Sequence, residues 1–401
     1  MALQMLKPRA FRLEDSLRVG SSTIYHIRLT SAILFLLFSA LSLAKSIRWS
    51  LRLKRLWLVT ELGKPHTLTT ERAVPQPGAR QVLVRVTVAG PNPHDQKSRE
   101  RGLLIADSFP APITNDVVGE VVALGTGVTN LAAGDHIVGH AAFDKTHVQK
   151  GLQEYTVLDA DFSAKIPDGF TDDDGATLPT NVIAALVALF VPETLGIPAP
   201  WTEAAKSFDF KGTTLLVVGG GSNCGRFGIQ LAALAGVGRI VVVGGDEPEL
   251  KSYGATDVID RHGSPDEITK RIRDVVGDEL IYAYDAINPP DTQTIAINAL
   301  SSTKKGKFAR LLPIGPVDES QVHAKKEGYE LKNVFGSSHV RPELCKPFWD
   351  HVPQYLKGGN LKPTKYEVVG LKGLEAQKVN EFLDRYRDGK KVVKTHFHLL
   401  E

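Results

Sequence analysis

The chain has 401 residues, 42% hydrophobic and 23% charged, which predicts two or three domains at roughly 100–200 residues each and excludes a disordered chain, a collagen-like repeat and a polytopic membrane protein. Lys plus Arg number 48 against 45 Asp plus Glu, a net charge of +3, so the basic excess of a nucleic-acid binder is missing. Two cysteines, Cys224 and Cys345, cannot form a disulfide framework or a four-cysteine zinc lobe, and a reducing compartment is the default.

Residues 1–55 read as an N-terminal extension. Inside it, residues 31–44 form an uncharged run of 14, short of the roughly 20 that span a bilayer. The run suits the apolar core of a signal peptide, and Ala40-Leu-Ser42 resembles a cleavage site. Two readings stay open: a segment outside the folded enzyme, or a targeting or anchoring segment. Membrane or endoplasmic-reticulum association is expected only if residues 31–44 anchor; otherwise the expected location is cytoplasmic.

From residue 56 to 59 the chain reads as a short strand, and residues 74–80 as a turn-rich linker. Residues 81–89 alternate with the period of two of a half-buried strand. Residues 117–125 and 136–139 are further strands with glycine punctuation, the pattern of a barrel-like β domain. The texture changes near Thr177. Residues 181–190 form an apolar helical stretch and 190–210 an irregular, Pro-containing loop. Residues 213–218 are a continuous apolar run, as in a sheet buried on both faces. A glycine-rich turn, a helical repeat over 228–235 and a second buried strand at 239–243 complete a βαβ unit. Residues 280–285 and 308–312 predict later strands of the same sheet. Tyr282 and Tyr284 share one face there and read as packing residues.

The strongest local signal is Gly220-Gly221-Ser222-Asn223-Cys224-Gly225. Small residues between a buried strand and a helix let the main chain approach a pyrophosphate, and the helix start offers free N–H groups and a partial positive charge. The dinucleotide fingerprint is G-x-G-x-x-G; here Ser222 stands at its middle glycine. Asp246 follows the second strand, 21 residues past Gly225, where a carboxylate accepts from a ribose 2′-OH and favours NADH. Lys251, Arg261 and His262 could instead meet a 2′-phosphate, and the residues alone leave the choice open. Cys224 sits at the helix start, where the dipole would lower a thiol pKa, unless it is simply small and buried.

With these motifs in view, residues 56–401 resemble the medium-chain dehydrogenase/reductase superfamily, in its zinc-independent, quinone-oxidoreductase-like branch with the fungal trans-enoyl reductases. The resemblance is carried by Pro91-Asn-Pro-His-Asp-Gln-Lys97, Gly134-Asp-His-Ile-Val-Gly139, Ala176-Thr-Leu-Pro-Thr-Asn181, the glycine turn, and Tyr253-Gly-Ala-Thr-Asp-Val-Ile-Asp260. It implies an α/β fold: a GroES-like β-barrel catalytic domain (residues 56–178 plus 341–401) with an inserted Rossmann dinucleotide-binding domain (residues 179–340). It implies NADPH as cofactor, with NADH as the alternative, and places Arg261 near the 2′-phosphate; Asp246 counts against that choice. Thr180 is implied at the nicotinamide end, and residues 333–338 over the nicotinamide ribose.

Zinc relatives hold a catalytic ion through Cys and His. This chain has Asn92 in place of the Cys and Asn115 in place of the His, and carboxamides are poor substitutes at a tetrahedral site. The expectation is therefore no zinc. His94, His136, His140 and His147 read as surface or packing residues. Hydride must then pass to an already polarised acceptor: an activated C=C, a quinone or a reactive aldehyde. Lys97 is the candidate for stabilising the charge that develops, and Asn92 for a hydrogen bond to substrate or cofactor. The alternatives are a non-catalytic nucleotide binder and a membrane-tethered interaction protein. The expected partner is a small-molecule substrate, with no nucleic acid, and the chain is expected as monomer or homodimer.

Overall fold

In the computed structural model the first hairpin pairs β1 (Leu53–Leu58) with β2 (Thr67–Ala73), antiparallel, with Lys54 opposite Arg72. The structure describes residues 52–399 except 144–145, 290–291, 312–314 and 372–374, so the apolar run at 31–44 lies outside the described residues. The strand starts three residues before the expected position 56. Its first positions are cationic and hide the apolar pattern: Lys54 turns inward and donates to Gln153 Oε1 at 2.6 Å, and Arg55 donates to Glu154 Oε1 at 2.7 Å.

The chain continues through β3 (Gln81–Ala89), α1 (Pro93–Arg101), β4 (Asp116–Leu124), β5 (His136–His140), β6 (Tyr155–Asp159) and β7 (Ser163–Lys165). Two short steps, α2 (Asp172–Ala176) and α3 (Pro179–Phe190), lead into a run of alternating strands and helices. These are β8 (Thr214–Val218), α4 (Asn223–Ala235), β9 (Arg239–Val243), α5 (Glu247–Ser252), β10 (Asp257–Ile259), α6 (Pro265–Val276), β11 (Tyr282–Asp285), α7 (Gln293–Ala299), β12 (Gly306–Arg310) and β13 (Tyr329–Asn333). The chain ends with α8 (Pro342–Lys357), β14 (Tyr366–Gly370), α9 (Ala376–Arg387) and β15 (Lys394–His398).

Two sheets organise these elements. The larger runs β14-β15-β3-β4-β5-β7, with β6 also on β3, and is antiparallel except for the β14–β15 pair. Its last two strands come from the end of the chain. The second sheet is wholly parallel, in the order β10-β9-β8-β11-β12-β13. This is the doubly wound order, whose direction of growth reverses between β8 and β11. Ligands of such sheets sit in the crevice at that reversal, outside the carboxyl ends of the strands.

The residues of β8 explain why both faces are covered. Leu215 and Val217 pack into one core with α3 and α4, while Leu216 and Val218 pack into another with α6 and α7. Every residue of α3 except Thr180 is buried. That helix joins Val88, Val118 and Val138 of the first sheet to Leu215 and Val217 of the second in one continuous core. Full burial of each large aliphatic side chain there stabilises by about 1.5–3 kcal/mol. The expected α/β architecture, an antiparallel barrel-like sheet interrupted by a parallel one, is what the chain forms. Among the described residues, no helix is long and apolar enough to cross a membrane.

Candidate functional site

The turn after β8 is built for close approach. A Cβ on Gly220 would stand 2.1 Å from Val242 Cγ1, and one on Gly225 2.3 Å from the Gly219 carbonyl oxygen. Neither position admits a larger residue without moving a strand or the turn itself. Ser222 is different. Its backbone is extended (φ −78°, ψ 156°), open to any L-residue, and it caps α4. Its Oγ accepts from the Gly225 N–H at 3.0 Å and donates to the Gly219 carbonyl at 2.8 Å. The serine in place of the middle glycine thus holds the corner shut through its own hydroxyl. Asn223 opens the helix and accepts from Arg226 Nη1 at 3.3 Å. Gly221 is exposed at the mouth of the turn.

Beside it, β9 is followed by Gly244-Gly245-Asp246. Asp246 is exposed and caps α5, its Oδ1 accepting from the Glu249 N–H at 3.0 Å. Of the three cations named from the sequence, Lys251 is paired with Glu247 at 2.7 Å and His262 with Asp260 at 2.6 Å. Arg261 is exposed and has no ion-pair or hydrogen-bond partner among the described residues. A Cβ on Gly244 would lie 3.0 Å from Arg261 Cδ, so this side chain lies over the turn that follows β9.

Of the two readings of Cys224, the one the geometry favours is the packed residue. Its Sγ donates to Asn181 Oδ1 at 3.5 Å, and burial pushes the thiol up to about 12. The helix start does not lower it, because desolvation of a thiolate outweighs a partial dipole charge.

Beside the start of α3, a polar cluster is buried except for the half-buried Thr180. Asp116, at the start of β4, is 0% exposed, and the side chain of Lys394, at the start of β15, is 2% exposed. Lys394 Nζ donates to Asp116 Oδ2 at 2.7 Å, to the Gly90 carbonyl at 2.9 Å and to Asn92 Oδ1 at 3.1 Å. Asn92 Nδ2 donates to Asp116 Oδ2 at 2.8 Å, and Asn181 Nδ2 to Asn92 Oδ1 at 3.3 Å. The Thr180 N–H donates to Asp116 Oδ1 at 2.7 Å, joined by its hydroxyl. Burial alone would raise the Asp116 carboxyl. The Lys394 charge and the hydrogen bonds from Lys394, Thr180 and Asn92 instead hold it below the ordinary carboxylate range. Asp116 therefore caps the first turn of α3, which has no side-chain cap of its own.

The structure brings Asn92 and Thr180 together on this carboxylate and leaves Lys97 apart from it. Asn92 is 3% exposed and spends both ends of its amide on protein groups. Lys97 lies half-buried on α1; burial, then the charge of Arg101, lowers its pKa. Its Nζ has no partner among the described residues. Sequence reasoning missed Asp116 and Lys394 as a pair.

One turn before Lys97, His94 Nε2 lies 3.3 Å from Asn115 Oδ1, and its ring meets Phe143 edge-on at 5.8 Å. Phe143 also meets His140 at 5.7 Å and Phe335, itself 47% exposed, at 5.5 Å. His140 is buried beneath them. Its Nδ1 lies 3.0 Å from Ser338 Oγ, which also accepts from Trp349 Nε1 at 3.1 Å. Burial pushes the His140 pKa down to about 3, so it is a neutral ring. The segment expected near the nicotinamide ribose, 333–338, thus contributes Phe335 and Ser338 to this wall. Among the described residues, no three His, Cys, Asp or Glu side chains converge as a metal donor set.

An antiparallel sheet completed by β14 and β15, together with a doubly wound parallel sheet carrying a glycine turn at its crossover, is the architecture of a class of oxidoreductases. Residues 78–168 match the alcohol dehydrogenase GroES-like domain family. The chain is 29% identical over 331 residues to the dehydrogenase orsE of Emericella nidulans, covering 79% of this chain and 91% of that one. It is 31% identical over 260 residues to the trans-enoyl reductase opdC of Penicillium oxalicum, covering 61% and 67%. In fold it is similar to a mycobacterial protein solved with NADPH, with a TM-score of 0.65, 20% identity and coverage of 86% and 100%. The chain belongs to the medium-chain dehydrogenase/reductase superfamily, beside fungal dehydrogenases and trans-enoyl reductases.

Proposed function

We propose that this oxidoreductase uses NADPH to reduce an activated C=C, quinone or reactive aldehyde acceptor without zinc. The observation that carries the reading is the glycine turn at the β8–β11 crossover, with the unpaired Arg261 guanidinium lying over the neighbouring turn. The turn suits a pyrophosphate, and a free exposed cation suits a 2′-phosphate. Asp246 is the residue that counts toward NADH: it is exposed, and its Oδ1 caps α5 while no hydrogen bond to Oδ2 is seen among the described residues. Relatives named trans-enoyl reductases and a structural neighbour solved with NADPH support the same reading.

When bound, the dihydronicotinamide supplies the hydride. The chain's own residues position and stabilise. Gly220, Gly221, Ser222, Asn223 and Gly225 would cradle the phosphates. Asn92 and Thr180, both locked to Asp116, fix the loop before α1 and the start of α3. Lys97 offers a cation to the negative charge that develops on the acceptor. The reading without zinc is supported by the chemistry at Asn92 and Asn115. Asn92 is saturated by Asp116, Lys394, Gly90 and Asn181, and the Asn115 amide donates to the Ala141 and Ala142 carbonyls. Asn92 is thus engaged at both ends of its amide, and the Asn115 oxygen, the end that could ligate, faces His94 Nε2 at 3.3 Å.

The test is loss of NADPH absorbance with a panel of enones, quinones and furan aldehydes after dialysis against a chelator. Turnover with at least one acceptor, undiminished by the chelator, is expected. Turnover with none, or activity restored only by added zinc, would overturn the reading.

A further inference from the structure

The geometry points to His94 as the group that delivers the proton completing reduction of the acceptor, through its Nδ1. This rests on the reductase reading above.

Asn115 fixes the state of the His94 ring. Its Nδ2 donates to the Ala141 carbonyl at 2.8 Å and to the Ala142 carbonyl at 3.1 Å. Those two carbonyls can only accept, so they fix which end of the amide is nitrogen. Oδ1 must then face His94, at 3.3 Å from Nε2. An amide oxygen can only accept, so Nε2 carries a hydrogen in either charge state of the ring. The Asp95 carboxylate reinforces this: its Oδ1 lies 3.6 Å from the same nitrogen. Asp95 is itself fixed, accepting from the Thr114 N–H at 2.8 Å and the Asn92 N–H at 2.7 Å. The proton that comes and goes is therefore the one on Nδ1, which has no partner among the described residues.

The ring is also reachable. The His94 side chain keeps 13% of its surface exposed, whereas His140 is buried. It stands against the half-buried Phe143, which continues to the exposed Phe335. Lys97 follows three positions later on the same face of α1. The charged and titratable groups around His94 are Asp95 and Lys97 on α1, neutral His140 on β5, and Lys150, whose Nζ lies 5.1 Å from the Phe143 ring. An acceptor lying along this wall would meet a cation at Lys97 and a proton source at Nδ1.

The step balances. With an enone, the β-carbon gains a hydrogen and two electrons as hydride from the dihydronicotinamide. The C=C π pair moves to the α-carbon and carbonyl oxygen. The α-carbon then takes the proton from Nδ1, and the ring is left neutral until water restores its proton. With a quinone or aldehyde the proton goes to oxygen.

The test compares wild type with His94→Gln and His94→Phe. On an acceptor that the wild type reduces, kcat should fall about 100-fold in both, the low end of general-acid effects. The dissociation constant for NADPH, read by fluorescence, should stay within about twofold, because a tenfold change needs about 1.4 kcal/mol and His94 lies outside the glycine turn. The pH profile of kcat should differ between the wild type and both variants. Nitrogen-15 NMR of the protein alone should show neutral His94 with its hydrogen on Nε2. Variants that keep wild-type kcat and pH profile, or a neutral ring with its hydrogen on Nδ1, would overturn the assignment. A wild type inactive on every acceptor would instead overturn the reductase reading.

Discussion

Replacing Lys394 with Met tests the buried cluster beside the start of α3. Lys394 and Asp116 have side chains 2% and 0% exposed, 2.7 Å apart. The substitution keeps most of the apolar stem and removes the charge. Asp116 would keep the Thr180 and Asn92 donors but lose the one cation that pairs with it among the described residues. Leaving one member of a buried pair uncompensated costs about 3–5 kcal/mol. Chemical denaturation at pH 7.5 should show a loss of that size. Without the cation, burial dominates and the Asp116 carboxyl moves above its value in the unfolded chain. Stability of the variant is then lost as pH rises through that raised value, so its deficit should shrink toward pH 5. Adding Asp116→Asn to the Lys394→Met chain removes the buried charge and should recover at least about 1 kcal/mol. A single variant within about 1 kcal/mol of wild type, with a deficit independent of pH, would refute the reasoning.

Arg261→Ala should weaken NADPH about tenfold, about 1.4 kcal/mol, and leave NADH unchanged, measured by titration of each coenzyme. Gly225→Ala places a methyl group 2.3 Å from the Gly219 carbonyl oxygen; nucleotide titration should show loss of binding with most of the fold retained by circular dichroism. His66 and His140 are both pushed down to about 3 by burial. Each takes up a proton near pH 6.5 when unfolded, so stability falls with pH below that point, by about 2 kcal/mol per histidine at pH 5. Asp285, pushed up to about 6 by burial, acts in the opposite sense and offsets about 1.4 kcal/mol. Denaturation at pH 7.5 and 5 should therefore show a net loss, and His66→Phe should remove about 2 kcal/mol of it. Cys224, its thiol pushed up to about 12, should resist iodoacetamide at pH 8 under conditions that alkylate a free cysteine, read by mass spectrometry.

The parallel sheet and its turn were legible in the sequence because their signals are local. A run of apolar residues, a glycine corner and a helical repeat follow one another within residues 213–235. Asn92, Thr180 and Lys97 were also visible as members of short motifs, although Asn92 and Thr180 turn out to be held by a carboxylate that those motifs do not contain. Lys394 and Asp116 lie 278 positions apart, and no spacing links them. The only local sign was an acid opening a strand whose next three residues, Val117-Val118-Gly119, carry no charge. His94 read as a packing residue because its partner, Asn115, lies 21 positions away across a turn. The misplaced start of β1 has the same origin: Lys54 looks like a surface residue until Gln153 is brought beside it.

On the function proposed above, the turn after β8 grips a nicotinamide dinucleotide in a chain that needs no metal to do so. Calorimetric titration of chelator-treated protein with NADPH tests this most directly. Saturable binding of one molecule per chain, unchanged by added zinc, is the predicted result. Absence of heat with both NADPH and NADH, in protein shown to be folded, would contradict the account.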